Sequence, residues 1–377
     1  MERDLTTGSI GRNILKFSLP YFLSYFLQTL YGIADLFIIG QFNGVASTTA
    51  VSIGSQVMHM ITVMIVGIAM GTTVMIGKSV GAKQKKETSK IIGNTVSLFV
   101  CLSVVLTVVL LFFVHPIVRI MSTPQQAVEG TTAYLTICFA GIPLITAYNI
   151  ISSIFRGLGD SKSPMYFIAV ACGVNIVLDY VFIGGLHFGA SGAALGTTLA
   201  QTISVIVALI AIRKKDTGIS LKRSDLKPEG KTLKNILGIG IPISLQDGFI
   251  QISFIVITII VNQRGLNDAA AVGIVEKIIS FVFLVPSSML SAVSAIAAQN
   301  IGAGKDERAT KTLKYAIMIS MSFGLCVAVL MQFISNFVVG IFTVDTMVIH
   351  KRCGCHIYGK PVYSKLHMGL HDRWNSF

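Results

Sequence analysis

Four residues combine a side-chain type and a spacing that could handle a positive ion. Asp35 and Asp179 are carboxylates standing alone in otherwise uncharged apolar stretches, residues 17–40 and 163–186. A carboxylate within a bilayer costs about 2.5–3.5 kcal/mol at a helix centre on insertion scales, so each is a functional candidate by default. Asn175 lies four residues before Asp179 and therefore on the same helical face. Thr197 follows in the next apolar stretch. At 1.5 Å per residue, Asp35 stands roughly 27 Å along its helix from the basic flank, with Asp179 about 24 Å and Asn175 about 18 Å along theirs. Thr197 arrives at a similar height, about 12 Å in from the opposite side. Two carboxylates, an amide and a hydroxyl at one height would suit a proton or a hard cation such as Na+, because taking up positive charge relieves the cost of holding carboxylates in an apolar medium. The plainer alternative leaves each as a helix-end polar group in contact with headgroups or water.

Other polar positions offer less defined chemistry. Asp247 falls near mid-membrane and Glu276 sits beside Lys277 in a later apolar stretch; adjacent residues point about 100° apart on a helix, so that pair need not self-neutralise. Both are candidates for lining a cavity. Gln28, Gln56, Gln201 and Gln251 could hydrogen-bond a ligand, although bonding between helices is the commoner use. Pro20 and Pro242 each interrupt the first helix of a half, as a hinge or as a static kink. Gly81-Ala82-Lys83 lacks the G-x-x-x-x-G-K-[ST] context of a phosphate loop and reads as a turn. Cys353, Cys355, His356, His367 and His371 imitate zinc spacing near the C-terminus but are read as unrelated to a metal site. No nucleophile–base pair or ligand cluster lies within the apolar spans, so no enzyme activity and no cofactor are expected.

The elements that must position these residues are transmembrane helices. The 377 residues are 53% hydrophobic and only 12% charged, whereas a soluble domain carries about 25% charge. Nine stretches could cross a bilayer: residues 17–40, 50–77, 91–118, 131–155, 163–186, 187–212, 235–263, 269–299 and 312–343. The net charge of +13 suggests nucleic acid only until it is mapped, because 22 of the 30 Lys and Arg fall in alternate connections. That bias places the N-terminus and every even-to-odd connection in the cytoplasm. The first apolar stretch is a full span without a cleavage site and is expected to remain as the first helix. Cys101, Cys138, Cys172 and Cys326 lie inside spans and read as small packing residues.

An internal repeat fixes the architecture. Asn13-Ile14-Leu15 with Pro20 recurs as Asn235-Ile236-Leu237 with Pro242, and Gly81-Ala82 with Lys90 recurs as Gly302-Ala303 with Lys311, at offsets of 222 and 221. Six spans separate equivalent positions, so the halves run in the same sense about a pseudo-two-fold axis along the membrane normal. The expected fold class is an all-α membrane protein of two parallel six-helix repeats, the second incomplete. Residues 1–212 form an N-lobe, 213–234 a basic cytoplasmic linker, 235–343 a partial C-lobe, and 344–377 a polar tail. A repeat of about 222 residues would carry the second half to roughly residue 440, so the tail is expected to be an out-of-frame product. A genuine nine-helix form is the alternative.

With these residues assembled, the chain resembles the multidrug and toxic compound extrusion (MATE) transporters, in the branch holding bacterial multidrug exporters and their damage-inducible relatives. The resemblance covers about residues 10–348 and rests on Pro20 with Ala34-Asp35, Gly81-Ala82, Phe155-Arg156-Gly157-Leu158-Gly159-Asp160, Gly189-Ala190-Ser191-Gly192-Ala193-Ala194 and Ile301-Gly302-Ala303-Gly304. It implies two six-helix lobes around a V-shaped cavity. It also implies alternating access, with export of cationic amphiphiles against inward protons or sodium. It matches Asp35, Asn175, Asp179 and Thr197 to a cation site and adds Tyr134 and Asn149; the depth argument does not support Asn149. The region after Pro242 reads Phe249-Ile250-Gln251, without the glutamate that one subgroup carries there. The expected setting is a bacterial-type inner plasma membrane, with small cationic molecules and membrane lipid as partners, no nucleic acid, and a monomeric state. A flippase for lipid-linked precursors is the alternative within the superfamily, though it would line its cavity with Arg or Lys to meet phosphates. A non-transporting truncated product is the other.

Overall fold

A computed structural model describes residues 4–214, 222–262 and 266–340, and side chains at 258–259, 261–277 and 334–340 are not described. The tail, with its cysteines and histidines, lies outside the described residues. Among those described there is no strand. The helices are α1 (Ile10–Phe42), α2 (Val45–Gly81), α3 (Lys85–Phe112), α4 (Val114–Ile120), α5 (Val128–Ala140), α6 (Ile142–Gly157), α7 (Lys162–Asp179), α8 (Gly189–Lys214), α9 (Gly230–Asn262), α10 (Leu266–Gly302) and α11 (Asp306–Gly340). Eight of these regions are long and apolar enough to span a bilayer. A ninth span is broken: the helical run ending at Ala140 meets α6 at 49°. Gly141 sits at the break and Pro143 near the start of α6, where a missing N–H costs nothing.

The repeat is visible in the helices themselves. Both α1 and α9 have 33 residues, and both α2 and α10 have 37. The chain forms two compact units, Met1–Ile250 with Ser287–Ala316, and Gln251–Pro286 with Ile317–Phe377. In the first unit, α2 runs against the near ends of α9 and α10. A Cβ on Gly81 would strike the Gln299 carbonyl, and one on Gly302 would strike the Lys78 carbonyl. Both partners shift by 221, so the two contacts are the same contact seen from either repeat. That reciprocity is what a two-fold axis produces. Gly71 against Ile236 and Gly240 against Ile68 extend the seam, again at backbone distance.

The chain before α1 is tied into this seam. Leu5 is buried, its N–H bonds to Gln299 Oε1 at 3.3 Å, and its carbonyl accepts from Asn300 Nδ2 at 3.3 Å. Lys305 Nζ donates to the Thr6 carbonyl at 2.9 Å, and Arg308 Nη2 donates to the Thr7 and Gly8 carbonyls at 2.9 and 2.7 Å. Gln299 Nε2 donates in turn to the Gly157 carbonyl at 3.1 Å. The Thr6 hydroxyl and N–H hold the Asp4 carboxyl below the usual aspartate range.

One residue counted from sequence as a loop cation is not in a loop. Arg156 lies inside the last turn of α6, buried, with its guanidinium 4.7 Å from the centroid of the Tyr21 ring. Its stem packs along apolar surface, and a cation over an aromatic face is stabilised without a carboxylate. Tyr21 directly follows Pro20, so this stack holds α1 at its proline.

Candidate functional site

The depth arithmetic puts four residues near one height, and their side chains lie together as a buried polar cluster. Asp35 sits on the buried face of α1, Asn175 and Asp179 one turn apart on α7, and Thr197 on α8. Helix α7 packs against both α1 and α8. The close approach of α8 comes from its composition, with Gly192, Ala193, Ala194, Gly196 and Ala200 buried in succession. Small residues let helices approach where the bilayer supplies no hydrophobic drive between them.

Thr197 Oγ1 donates to Asp35 Oδ2 at 3.4 Å. Asp179 and Asn175 stand within polar range of the Asp35 carboxylate. Yet Asp35 Oδ1, both Asp179 oxygens, and the Asn175 oxygen and nitrogen have no hydrogen-bond partner among the described residues. Asp179 is 0% exposed, Asn175 2% and Asp35 4%. Burying polar atoms without partners costs free energy for each, and carboxylates far more than amides. The oxygens among these atoms are satisfied by a positive ion, either a proton shared between the carboxylates or a hard cation; the Asn175 nitrogen is a donor and is not.

Backbone geometry at the C-terminal end of α7 fixes Asp179. The six residues after it, Tyr180–Gly185, form a π-helical turn, and the amides of Leu186 and Phe188 close back on Val181 and Phe182 at 2.9 Å each. Turns of this kind are rare and concentrate at functional sites. The Phe42 ring at the end of α1 meets Tyr180 edge-on at 6.0 Å, which ties the helix carrying Asp35 to the turn following Asp179.

One residue extends the site beyond those the sequence pointed to, and one of the candidate glutamines, Gln201, lies next along the same helix. Gly196 faces Asp179 so closely that a Cβ would overlap its Oδ1. The Gly192-x-x-x-Gly196 spacing was the available signal. Gln201, one turn further along α8 from Thr197, is buried with an unpartnered Oε1. We expect Gly196→Ala to push the Asp179 carboxylate aside and weaken binding of a cation at this cluster by about tenfold or more, while Gly173→Ala, which faces open space on α7, leaves it unchanged. Titration of both purified variants with Na+ and with acid checks this.

The remaining candidates are placed elsewhere or have other partners. Tyr134 is buried, with its ring over Gly54. Asn149 is buried on α6 and donates to its own helix at the Ile145 carbonyl, 2.8 Å away. Gln28 lies beside the Tyr148 hydroxyl of α6, a contact between helices. Asp247 is half-buried on α9. Gln251 belongs to the second compact unit, and the Glu276 side chain lies outside the described residues. Pro20 and Pro242 both fall inside their helices, and Ser24 Oγ bonds the Pro20 carbonyl at 2.8 Å. Pro286 inside α10 is a third such proline, with no counterpart in the first repeat. Among the described residues no group of three His, Cys, Asp or Glu could hold a metal.

The MatE family profile matches residues 20–181 and 242–351. The chain is 31% identical over 306 residues to the probable multidrug resistance protein YpnP of Bacillus subtilis, covering 81% of this chain and 68% of that one. It is 28% identical over 349 residues to the probable multidrug resistance protein YoeA of the same organism, covering 91% and 75%. A solved multidrug resistance MATE family transporter of the MOP superfamily, in an outward-facing conformation, superposes with a TM-score of 0.86 at 26% identity, over 94% of this chain and 79% of that one.

Proposed function

This chain belongs to the MatE family of multidrug efflux transporters, and from that premise we propose that it exports cationic amphiphilic molecules across a bacterial inner membrane in exchange for protons or sodium ions. The observation that carries the proposal is the group of partnerless polar atoms on Asp35, Asn175 and Asp179. The oxygens among them are costly to bury without a partner and are stabilised once a positive ion enters. The ion and the conformation are thereby linked, because a site is emptied or filled only by whichever state binds the ion differently.

Alternating access needs an element that closes one side. The glycine seam between α2 and the ends of α9 and α10 supports closure on the face that carries the basic loops, which the charge bias assigns to the cytoplasm. With that side sealed, the carboxylates communicate with the opposite face, where the coupling ion enters. Protonation or sodium binding would then favour release of drug outward and return of the transporter. The lipid-precursor reading needs cations facing a cavity, and the buried Arg156 is already engaged with Tyr21.

Reconstitution in liposomes tests the reading. An imposed inward gradient of either H+ or Na+ is expected to accelerate outward movement of a cationic dye several-fold over a symmetric control. Dye flux indifferent to both gradients would rule out ion exchange.

A further inference from the structure

The described part of the basic linker, from Lys222 onward, is not a free tether. Its short turn Arg223–Leu226 is fastened to the outer surface of α3. Ser97 Oγ donates to the Leu226 carbonyl at 2.6 Å, Asn94 Nδ2 to the Asp225 carbonyl at 3.4 Å, and the Glu229 amide to Asn94 Oδ1 at 2.6 Å. Gly93 permits the approach, since a Cβ there would overlap the Asp225 carbonyl. Lys90 and Glu229 add an ion pair at 3.8 Å.

This docking builds a shallow groove of about 540 Å³ whose lining is almost wholly apolar: Val96, Val100, Val104 and Val105, with Ser97 and Cys101, closed at one end by Leu226. Val100, Val104 and Val105 are 56%, 55% and 52% exposed. They lie on a span of high apolar content that buries little of itself against protein. From Ser97 to Val105 the groove runs about 12 Å along the apolar helix. At the Leu226 end the polarity changes abruptly. Lys222, Arg223 and Lys227 are exposed around the turn. Their one acidic neighbour within the turn, Asp225, is occupied in accepting the Lys222 amide at 2.9 Å, so the cations outnumber it. An apolar trough entering the membrane beneath a cluster of positive charge is complementary to one kind of molecule, a phospholipid with an acidic headgroup.

We propose that the α3–linker groove is a binding site for an anionic phospholipid of the leaflet on the linker's side, with an acyl chain along Val100, Val104 and Val105 and the phosphate headgroup over Lys222, Arg223 and Lys227. Binding would fasten the linker further to α3 and so hold the junction between the two repeats. The inference is independent of the ion site and of transport.

The test uses the full chain in nanodiscs doped with phosphatidylglycerol bearing a diazirine in its acyl chain, with photolabelled peptides identified by mass spectrometry. Labelling is expected to concentrate on residues 96–105. It should fall at least about tenfold in the combined Lys222→Gln, Arg223→Gln, Lys227→Gln variant, since each basic residue near an anionic surface contributes on the order of a few-fold in binding. Lys222→Arg with Lys227→Arg should restore it. Because all three side chains are exposed, helicity and amide exchange of the variant should match the parent, which separates lost lipid from lost fold. Equal labelling by the phosphatidylcholine analogue would mean ordinary surrounding lipid and would overturn the proposal. So would an absence of acyl label from the groove while inorganic phosphate binds the parent and not the triple variant, which would mean a free-anion site.

Discussion

Replacing either intramembrane carboxylate, by Asp35→Asn or Asp179→Asn, is expected to reduce ion-coupled efflux by about two orders of magnitude while leaving the protein at least as resistant to heat. The two halves of that expectation have one cause. Both carboxyls are nearly or wholly excluded from solvent, and three of their four oxygens lack a hydrogen-bond partner among the described residues. Each charge therefore costs about 3 kcal/mol in the absence of an ion, and that same quantity is what draws an ion in. Asparagine keeps the shape and removes the charge, which gives up the attraction and relieves the cost together. The double variant should be little worse than either single one, because groups acting as a unit are not additive. Efflux from cells and thermal unfolding of the purified variants are the measurements. Unchanged efflux in both single variants removes the site. Loss of efflux accompanied by a lowered Tm makes the carboxylates structural.

The parts of this arrangement that were legible in the sequence depend on regular geometry. A helix advances by a fixed rise, so counting residues from the helix ends places Asp35, Asn175, Asp179 and Thr197 at similar heights without knowledge of any neighbour. A repeat preserves spacing, so two short matches sufficed to foresee that α1 and α9, and α2 and α10, are equivalent. What escaped depends on the identity of a packing partner. Gly196 matters because Asp179 is opposite it, and Gly81 because the Gln299 carbonyl is. Arg156 looked like a loop cation because hydropathy records its charge and not the Tyr21 ring beneath it. The break between α5 and α6 was signalled by Gly141 and Pro143, but the surrounding run is apolar throughout and reads as one span. Hydropathy measures where a chain can cross, and it is blind to whether it crosses straight.

Gly81→Leu and Gly302→Leu are expected to be nearly equal in effect, each loosening the glycine seam that we propose closes the basic-loop side. In both positions the obstructing atoms are backbone, the Gln299 carbonyl in one case and the Lys78 carbonyl in the other. A flexible side chain could swing away, whereas a helical carbonyl moves only with its helix, so the cost is at the upper end of the usual range of about 1–3 kcal/mol for overpacking or beyond it. The equivalence follows from the offset of 221 that relates Gly81 to Gly302 and Lys78 to Gln299: the two substitutions press on the same crossing from opposite sides. Amide exchange over residues 76–82 and 296–302 should rise by at least about tenfold in either variant, and dye efflux should fall because a transporter that cannot seal one face cannot hold an ion gradient against it. Gly173→Leu provides the comparison, since its position on α7 faces open space. If all three variants exchange and transport alike, the contact is incidental packing. If only one seam glycine matters, the two-fold relation between the repeats does not extend to the way the chain closes.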